Sequence, residues 1–331
     1  MHAPITMMDR NKGSLAPLFH GTISDNCIHP IDLMSLQIFH HPFYSALALP
    51  EQHRFPLAKY QGLFERLTSE GYPLVRAPAA STTQICRIHD KDYVAAALAG
   101  QLDDRAIRQL GFPWSPMLIE RTQHSVGATI AASHHALAQG CGLQISGGYH
   151  HAHHDHGSGF CLFNDLVIAA QSCLDEGRCE QVLIIDLDVH QGDGSAALCT
   201  GRRDIITLSL HGEHNFPRHK PASHMDFALP SGMTDDAYLT TLAQALDLAL
   251  RLYAPDLILY QAGVDVHHAD ELGYLALSDE GVRQRDAMVF DCARQHGLPI
   301  AAVPGGGYRR DWQQLIPLHM SLFEEAKKRY G

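Results

Sequence analysis

From about Leu36 onward, short apolar runs ending in glycine, aspartate or histidine alternate with longer segments whose apolar residues recur with helical period. Short apolar runs bounded by turn residues suit strands buried on both faces, and helices between them make the connections parallel. The strand candidates are LQIFHH, LQISGG, QVLIIDLDV, DIITLSLHG, DLILYQAG and PIAAVPGGG. Helices are expected over Leu118 to Gln139 (stopped by Gly140), Leu166 to Glu176 (stopped by Gly177), and Asp236 to Tyr253 (ending before Pro255). Glu280 to His296, stopped by Gly297, and Trp312 to Arg329 complete the set. The pattern predicts an α/β fold in a single domain over residues 36–331. Residues 1–35 lack the rhythm and read as an N-terminal extension or a segment covering a neighbouring surface.

The chemistry-bearing residues follow the strand runs: GGYHH, DLDVHQGDG, QAGVD and PGGGY each begin where an apolar run stops. Ligands of open α/β sheets bind beyond the carboxyl ends of the strands, so these four segments are expected to converge on one crevice. Asp186, Asp188 and His190 alternate along the chain and project from one face if the run stays extended. Asp188 and His190 make half a metal site; Asp265 can supply a third ligand and leave coordination open for water and substrate. A site with two carboxylates acidifies water less than a three-histidine site, so it needs a strong base nearby. His150 and His151 can serve, with Asp186 and Asp193 as acceptors for their other ring nitrogens. Tyr308 can donate its hydroxyl to a carbonyl oxygen that becomes anionic. Together these groups specify hydrolysis of an amide or ester, and the competing reading is a structural Asp/His network at strand ends. Fe(II) or Co(II) would suit the ligand set as well as zinc. His153, His154 and His156 read as an unligated, solvated loop, with a second adventitious metal site as the alternative.

The net charge of −11, from 36 acidic and 25 basic residues, argues against nucleic acid or an anionic membrane as partner and suits cationic substrates. Eight cysteines without a close-paired framework, and a start lacking a secretory pattern, point to a soluble protein of a reduced cytoplasmic compartment.

In its ordered motifs GGYHHA, GFCLFND, DLDVHQGDG, LSLH, QAGVD and PGGGY, the chain resembles the zinc-dependent histone deacetylase family. HRFPLAKY, RAIRQLGFPWSP and the Gln191 that follows His190 are most similar to the class IV and related bacterial branch. The resemblance implies an arginase/deacetylase-like fold, an eight-stranded mostly parallel sheet sandwiched by helices. It implies zinc on Asp188, His190 and Asp265, with His151 as general base and acid backed by Asp193. His150, backed by Asp186, would be its electrostatic partner, and Tyr308 would polarise the acyl carbonyl. Phe160 and Phe216 would wall an acyl-lysine tunnel, and the Gly159 carbonyl would accept from the substrate amide; the cysteines read as buried small residues, with the tunnel floor as the alternative place for Cys161. Structural potassium is implied at Asp186, Asp188, His190, Ser209 and Leu210, and Arg54 would line an acetate-exit channel. Two departures stand out. The family's rim aspartate has no clear counterpart, since Asp103 and Asp104 lie in the right region but the wrong context; and Leu272 falls where acetylpolyamine deacetylases carry glutamate, although Glu271 is adjacent. The expected activity is hydrolysis of N-acyl-lysine in a peptide or protein, the alternative being a small acylated amine such as an acetylpolyamine. A two-manganese ureohydrolase is disfavoured because only one three-ligand set is found.

Overall fold

The computed structural model describes residues 35–331, so the N-terminal segment expected over 1–35 lies, but for Ser35, outside the described residues. Among the described residues there are eight strands: β1 (Gln37–His40), β2 (Leu74–Arg76), β3 (Cys141–Gln144), β4 (Val182–Asp186), β5 (Ile205–Gly212), β6 (Met225–Leu229), β7 (Leu257–Gln261) and β8 (Ile300–Val303). They form one sheet in the order β2-β1-β3-β8-β7-β4-β5-β6. Every pairing is parallel, so the expected mostly parallel sheet is wholly so.

The burial of each strand explains its sequence. β3, β4, β5, β7 and β8 are buried at every position, which is why they read as near-continuous apolar runs. The two strands without a sequence signal are the two edges. β2 has only three residues, none fully buried, and β6 (MDFAL) buries only its two ends. Short edge strands bury little and need little apolar character.

The helices are α1 (Lys59–Ser69), α2 (Thr82–Ile85), α3 (Lys91–Ala99), α4 (Asp104–Leu110), α5 (Pro116–Gln139), α6 (Asp165–Asp175), α7 (Asp193–Leu198), α8 (Asp235–Leu252), α9 (Asp279–Gln295) and α10 (Leu315–Tyr330). Several start a residue or two before the first apolar position because a capping side chain sets the boundary. Ser115 Oγ accepts from Leu118 N at 3.1 Å, Asn164 Oδ1 from Val167 N at 3.1 Å and Ser278 Oγ from Gly281 N at 3.0 Å. Trp312–Gln314 forms a 3₁₀ turn before α10, whose Pro317 sits in the first turn, where its missing N–H leaves no helical bond unmade.

Candidate active site

The strands preceding the four chemistry-bearing segments are β3, β8, β7 and β4, consecutive neighbours at the centre of the sheet. Their carboxyl ends therefore bring together residues more than a hundred positions apart. Asp186 ends β4, in register with Gln261 of β7 and Ser209 of β5.

Just beyond β4, His190 Nδ1 lies 2.9 Å from Asp188 Oδ1 and 3.1 Å from Asp265 Oδ2, and all three residues are buried. The remaining oxygens are occupied by backbone: Gly306 N donates to Asp188 Oδ2 at 2.9 Å and Val189 N to Asp265 Oδ1 at 2.9 Å. One oxygen of each carboxylate is thus turned toward the imidazole. Among the described residues this is the one group of three metal-ligating side chains whose donor atoms all lie within 4.8 Å of one another. A zinc ion about 2.0–2.2 Å from each donor in tetrahedral geometry would separate the donors by about 3.3 Å, close to the spacing present. The electrostatics fit a cation too. Burial opposes charge on His190, but its bonds to Asp188 and Asp265 push its pKa up to about 10, so a proton is held where a metal would be. Burial and then the Asp188 charge push Asp265 up to about 7.

The backbone around this point is crowded for a reason. A Cβ on Gly306 would lie 2.1 Å from Asp265 Oδ2 and 2.5 Å from Asp188 Oδ2, so only glycine lets that N–H reach the carboxylate. From α9, the fully buried Arg285 donates to the carbonyls of Gly263, Ala262 and, at 3.4 Å, Leu187, tying together the two loops that carry the ligands. Arg285 pairs with the adjacent Asp286, but its role carries no signal in the sequence, because the carbonyls that it joins are distant along the chain.

His150 and His151 lie beside this group with ring centroids 4.1 Å apart, and the His151 ring is 5.9 Å from His190. His150 Nδ1 donates to Asp186 Oδ2 at 2.7 Å, and His151 Nδ1 donates to Asp193 Oδ1 at 2.6 Å. These similar pairs carry different charge. Burial disfavours the imidazolium of His150, yet Asp186 and Asp188 outweigh it and bring it up to about 9. For His151, burial and then the charge of His150 dominate and bring it down to about 4. Two neighbouring groups pushed in opposite directions make an acid and base assignment. Because an ionised carboxylate only accepts, neutral His151 carries its proton on Nδ1 and keeps a lone pair on Nε2.

Tyr308 follows β8 and is half-buried, its ring 6.0 Å from His190 and 6.1 Å from Phe160. Burial, then the charges of Asp188 and Asp265, hold its hydroxyl far above the usual range, so it stays a donor. Its backbone is clamped: Tyr308 N donates to Asp270 Oδ2 at 2.7 Å and its carbonyl accepts from Glu271 N at 3.0 Å.

A cavity of about 940 Å³ opens over these groups, with His151, His190, Tyr308, Gly159, Phe160, Phe216 and Leu272 in its wall. Phe160 adopts φ 68°, a strained conformation for a side chain of that size and of the kind that collects at binding sites. Phe216 is 47% exposed and meets His151 edge to face at 4.8 Å. The Gly159 carbonyl accepts from Cys161 Sγ at 3.3 Å. Glu271 is turned away, accepting from Arg310 N at 2.7 Å, so Leu272 is the residue that faces the cavity.

Three sequence expectations are corrected or sharpened. Arg54 is exposed and absent from the inner recess between Phe160, Tyr308 and Gly306; the cation there is Lys59 of α1, buried and donating to Gly305 O at 3.0 Å. Burial brings Lys59 down to about 8. Asp103 caps α4 by accepting from Ala106 N at 2.7 Å, and neither it nor Asp104 lines the cavity. His153 is part of the site's support rather than free loop: it is half-buried, its Nε2 is 3.2 Å from Asp193 Oδ2, and its ring stacks 4.4 Å from His156. His154 is exposed, its Nδ1 bonded to Ile88 O at 2.7 Å. Of the residues expected at a potassium site, Asp186 ends β4 in register with Ser209, which lies with Leu210 inside β5, and Ser209 Oγ is bonded to His211 Nδ1 at 2.9 Å.

Comparison with known proteins agrees with this geometry. The family model described as histone deacetylase domain matches residues 53–320. An uncharacterised protein of Picosynechococcus sp. is 38% identical over 301 residues, covering 90% of this chain and 100% of its own. Histone deacetylase 2 of Arabidopsis thaliana is 28% identical over 301 residues, covering 86% of this chain and 78% of its own. A histone deacetylase-like amidohydrolase of Pseudomonas aeruginosa is 30% identical over 249 residues, covering 70% of this chain and 65% of its own.

Proposed function

The chain belongs to the histone deacetylase family, and from that premise we propose that it is a zinc-dependent deacylase of N-acyl-lysine side chains. A hydrolase of the deacetylase or amidohydrolase kind follows from the family alone; the metal and the lysine are the finer reading. One observation carries it: the buried, convergent donors of Asp188, His190 and Asp265 stand beside two histidines, each backed by its own carboxylate.

Bound by those three side chains, zinc would supply Lewis acidity to the acyl carbonyl and to water. The chain's own groups do the rest. Phe160 and Phe216 hold the aliphatic acyl-lysine stem, and Leu272 adds an apolar contact. The Tyr308 hydroxyl donates to the carbonyl oxygen as negative charge grows there. His151 Nε2 accepts a proton from the attacking water and delivers it to the departing amine, while Asp193 holds the ring in the required tautomer. His150, held through its Nδ1 by Asp186, is the electrostatic partner of His151 beside the developing negative charge of the transition state. An aliphatic Leu272 in place of a facing glutamate favours acyl-lysine over a cationic polyamine.

Membership of the class IV branch, potassium at Asp186, Asp188, His190, Ser209 and Leu210, and a cytoplasmic location belong to the same reading. The free thiols of seven described cysteines support the last, and no described helix is long and apolar enough to cross a membrane. The test is turnover of an acetyl-lysine peptide by the purified protein after chelation and after return of zinc, Fe(II) or Co(II). Loss on chelation and recovery with one of these ions is expected; activity untouched by complete metal removal would end the proposal.

A further inference from the structure

The charge at the cavity mouth runs opposite to that of the whole chain. The chain carries −11, yet the mouth is bordered by Arg108 of α4 and Arg218 of the loop after β5, both exposed and without an ion-pair partner among the described residues. The one carboxylate in the cavity wall is Asp193, buried and already engaged by His151 and His153. Of the exposed carboxylates on neighbouring segments, Glu213 lies 3.0 Å from His214, Asp155 lies 2.7 Å from His156, Glu271 accepts from Arg310 N at 2.7 Å, and Asp104, one helical turn before Arg108, stands outside the cavity wall.

The two arginines belong to different segments of the cavity wall. Phe160 N donates to Leu110 O at 2.8 Å and Gly159 N to Gln109 O at 3.3 Å, so the end of α4 that bears Arg108 is joined to the Phe160 wall. Arg218 follows Phe216 by two residues. Its loop is held by Lys220, whose Nζ donates to the carbonyls of Glu213 (3.1 Å), Asn215 (2.8 Å) and Pro217 (2.8 Å), placing a third cation behind the rim. Asn215 Nδ2 then donates to Leu272 O at 2.8 Å, joining this loop to the segment that completes the wall.

A lysine side chain passing between Phe160 and Phe216 leaves its own backbone at the mouth. The residues on either side of it, about 3.3–3.6 Å further along the chain per residue, then lie along the mouth that the two guanidinium groups border. Arginine binds carboxylate with two parallel hydrogen bonds, and neither guanidinium has such a partner among the described residues. Resting on the deacylase reading, we infer that the mouth selects acyl-lysine in an acidic segment, with aspartate or glutamate flanking the modified residue, and turns away cationic chains. A polyamine tail would meet two arginines in the cavity wall and only the engaged carboxylate of Asp193.

The test uses three acetyl-lysine peptides of equal length with acidic, neutral or basic flanks. kcat/KM is measured on the zinc-loaded protein at low ionic strength and at about 0.5 M salt. In parallel, binding of the same labelled peptides to the metal-free protein is followed by fluorescence anisotropy. The acidic peptide should exceed the basic one about tenfold or more at low salt in both measurements, shrinking to about twofold at high salt as screening shortens to a few ångströms. Arg108→Glu with Arg218→Glu should reverse the order, and Arg251→Glu on the distant face of α8 should leave it as it is. Equal values for the three peptides at low salt, or an order unchanged in the double variant, would overturn the inference. If no peptide is hydrolysed the deacylase reading fails, while the anisotropy series still decides whether the mouth prefers acidic chains.

Discussion

Asp193→Asn keeps shape and volume but removes a charge from one place, the Nδ1 side of His151. In the native site Oδ1 accepts from His151 at 2.6 Å and Oδ2 lies 3.2 Å from His153 Nε2. Burial opposes ionisation of Asp193, but its bonds to His151 and His153 hold it below the usual carboxylate range, so it is an acceptor at both oxygens near neutrality. Asparagine offers one acceptor and one donor, and two outcomes follow. With its oxygen toward His151 the tautomer survives and only the charge assistance is lost, about 1.5–3 kcal/mol, or about 10- to 150-fold in rate if it is expressed fully in the transition state. With its amide nitrogen toward His151 the proton moves to Nε2, the lone pair that should take the proton is gone, and the loss approaches about 10⁴-fold. Steady-state kcat on an acetyl-lysine peptide measures the size of the loss, and nitrogen chemical shifts of His151 in labelled protein report the tautomer. A kcat within about threefold of the native value would refute the role given to Asp193. A 10⁴-fold loss with the Nδ1 proton still in place would refute the tautomer argument while leaving Asp193 essential.

Tyr308→Phe should lower kcat by about 10²-fold or more with little change in KM, since the hydroxyl is used where charge develops; an unchanged kcat would remove Tyr308 from the mechanism. Gly306→Ala should cut bound zinc per chain, measured by atomic absorption, because its methyl would occupy the space of the Asp265 and Asp188 oxygens; full zinc content would show that the loop can yield. Lys59→Met should change the pH dependence of stability. Burial lowers Lys59 to about 8, so between about pH 8 and its unfolded value of about 10.4 the unfolded chain binds more protons and native stability rises with pH. The difference in urea midpoint between native and variant protein at about pH 7 and about pH 9.5 reads this directly. The variant should be more stable at the lower pH by up to about 3 kcal/mol and lose that advantage at the higher; an identical difference at both would show that Lys59 does not titrate in the window.

Much of the site could be read from the chain because its residues end runs of strong periodicity. Asp188, His190, Asp265, His150, His151 and Tyr308 each follow a buried parallel strand, and such strands announce themselves as apolar blocks. What escaped was whatever works without that pattern. Lys59 sits among apolar neighbours on α1 and reads as a surface lysine, because the recess that receives it is formed by Gly305 and Gly306, far along the chain. Arg54, five residues earlier and a more conspicuous cation, is exposed. His153 looked like loop because its partner, the second oxygen of Asp193, is defined only in three dimensions. β2 and β6 went unseen because edge strands bury too little to show, and their number was known only from the family resemblance.

The strand order has a consequence for how the chain is made. β8 is the last strand to leave the ribosome, yet it lies in the middle of the sheet, between β3 and β7. Before Ile300–Val303 emerge there are two separate ribbons, β2-β1-β3 and β7-β4-β5-β6, with nothing to join them edge to edge. The second ribbon already carries Asp188, His190 and Asp265; the first carries His150 and His151. The insertion of one four-residue strand therefore brings the Asp188, His190 and Asp265 group together with His150 and His151, and with it come Gly306, which supports Asp188, and Tyr308. Long-range closure of this kind is slow, and it leaves two strand edges to be protected in the interval.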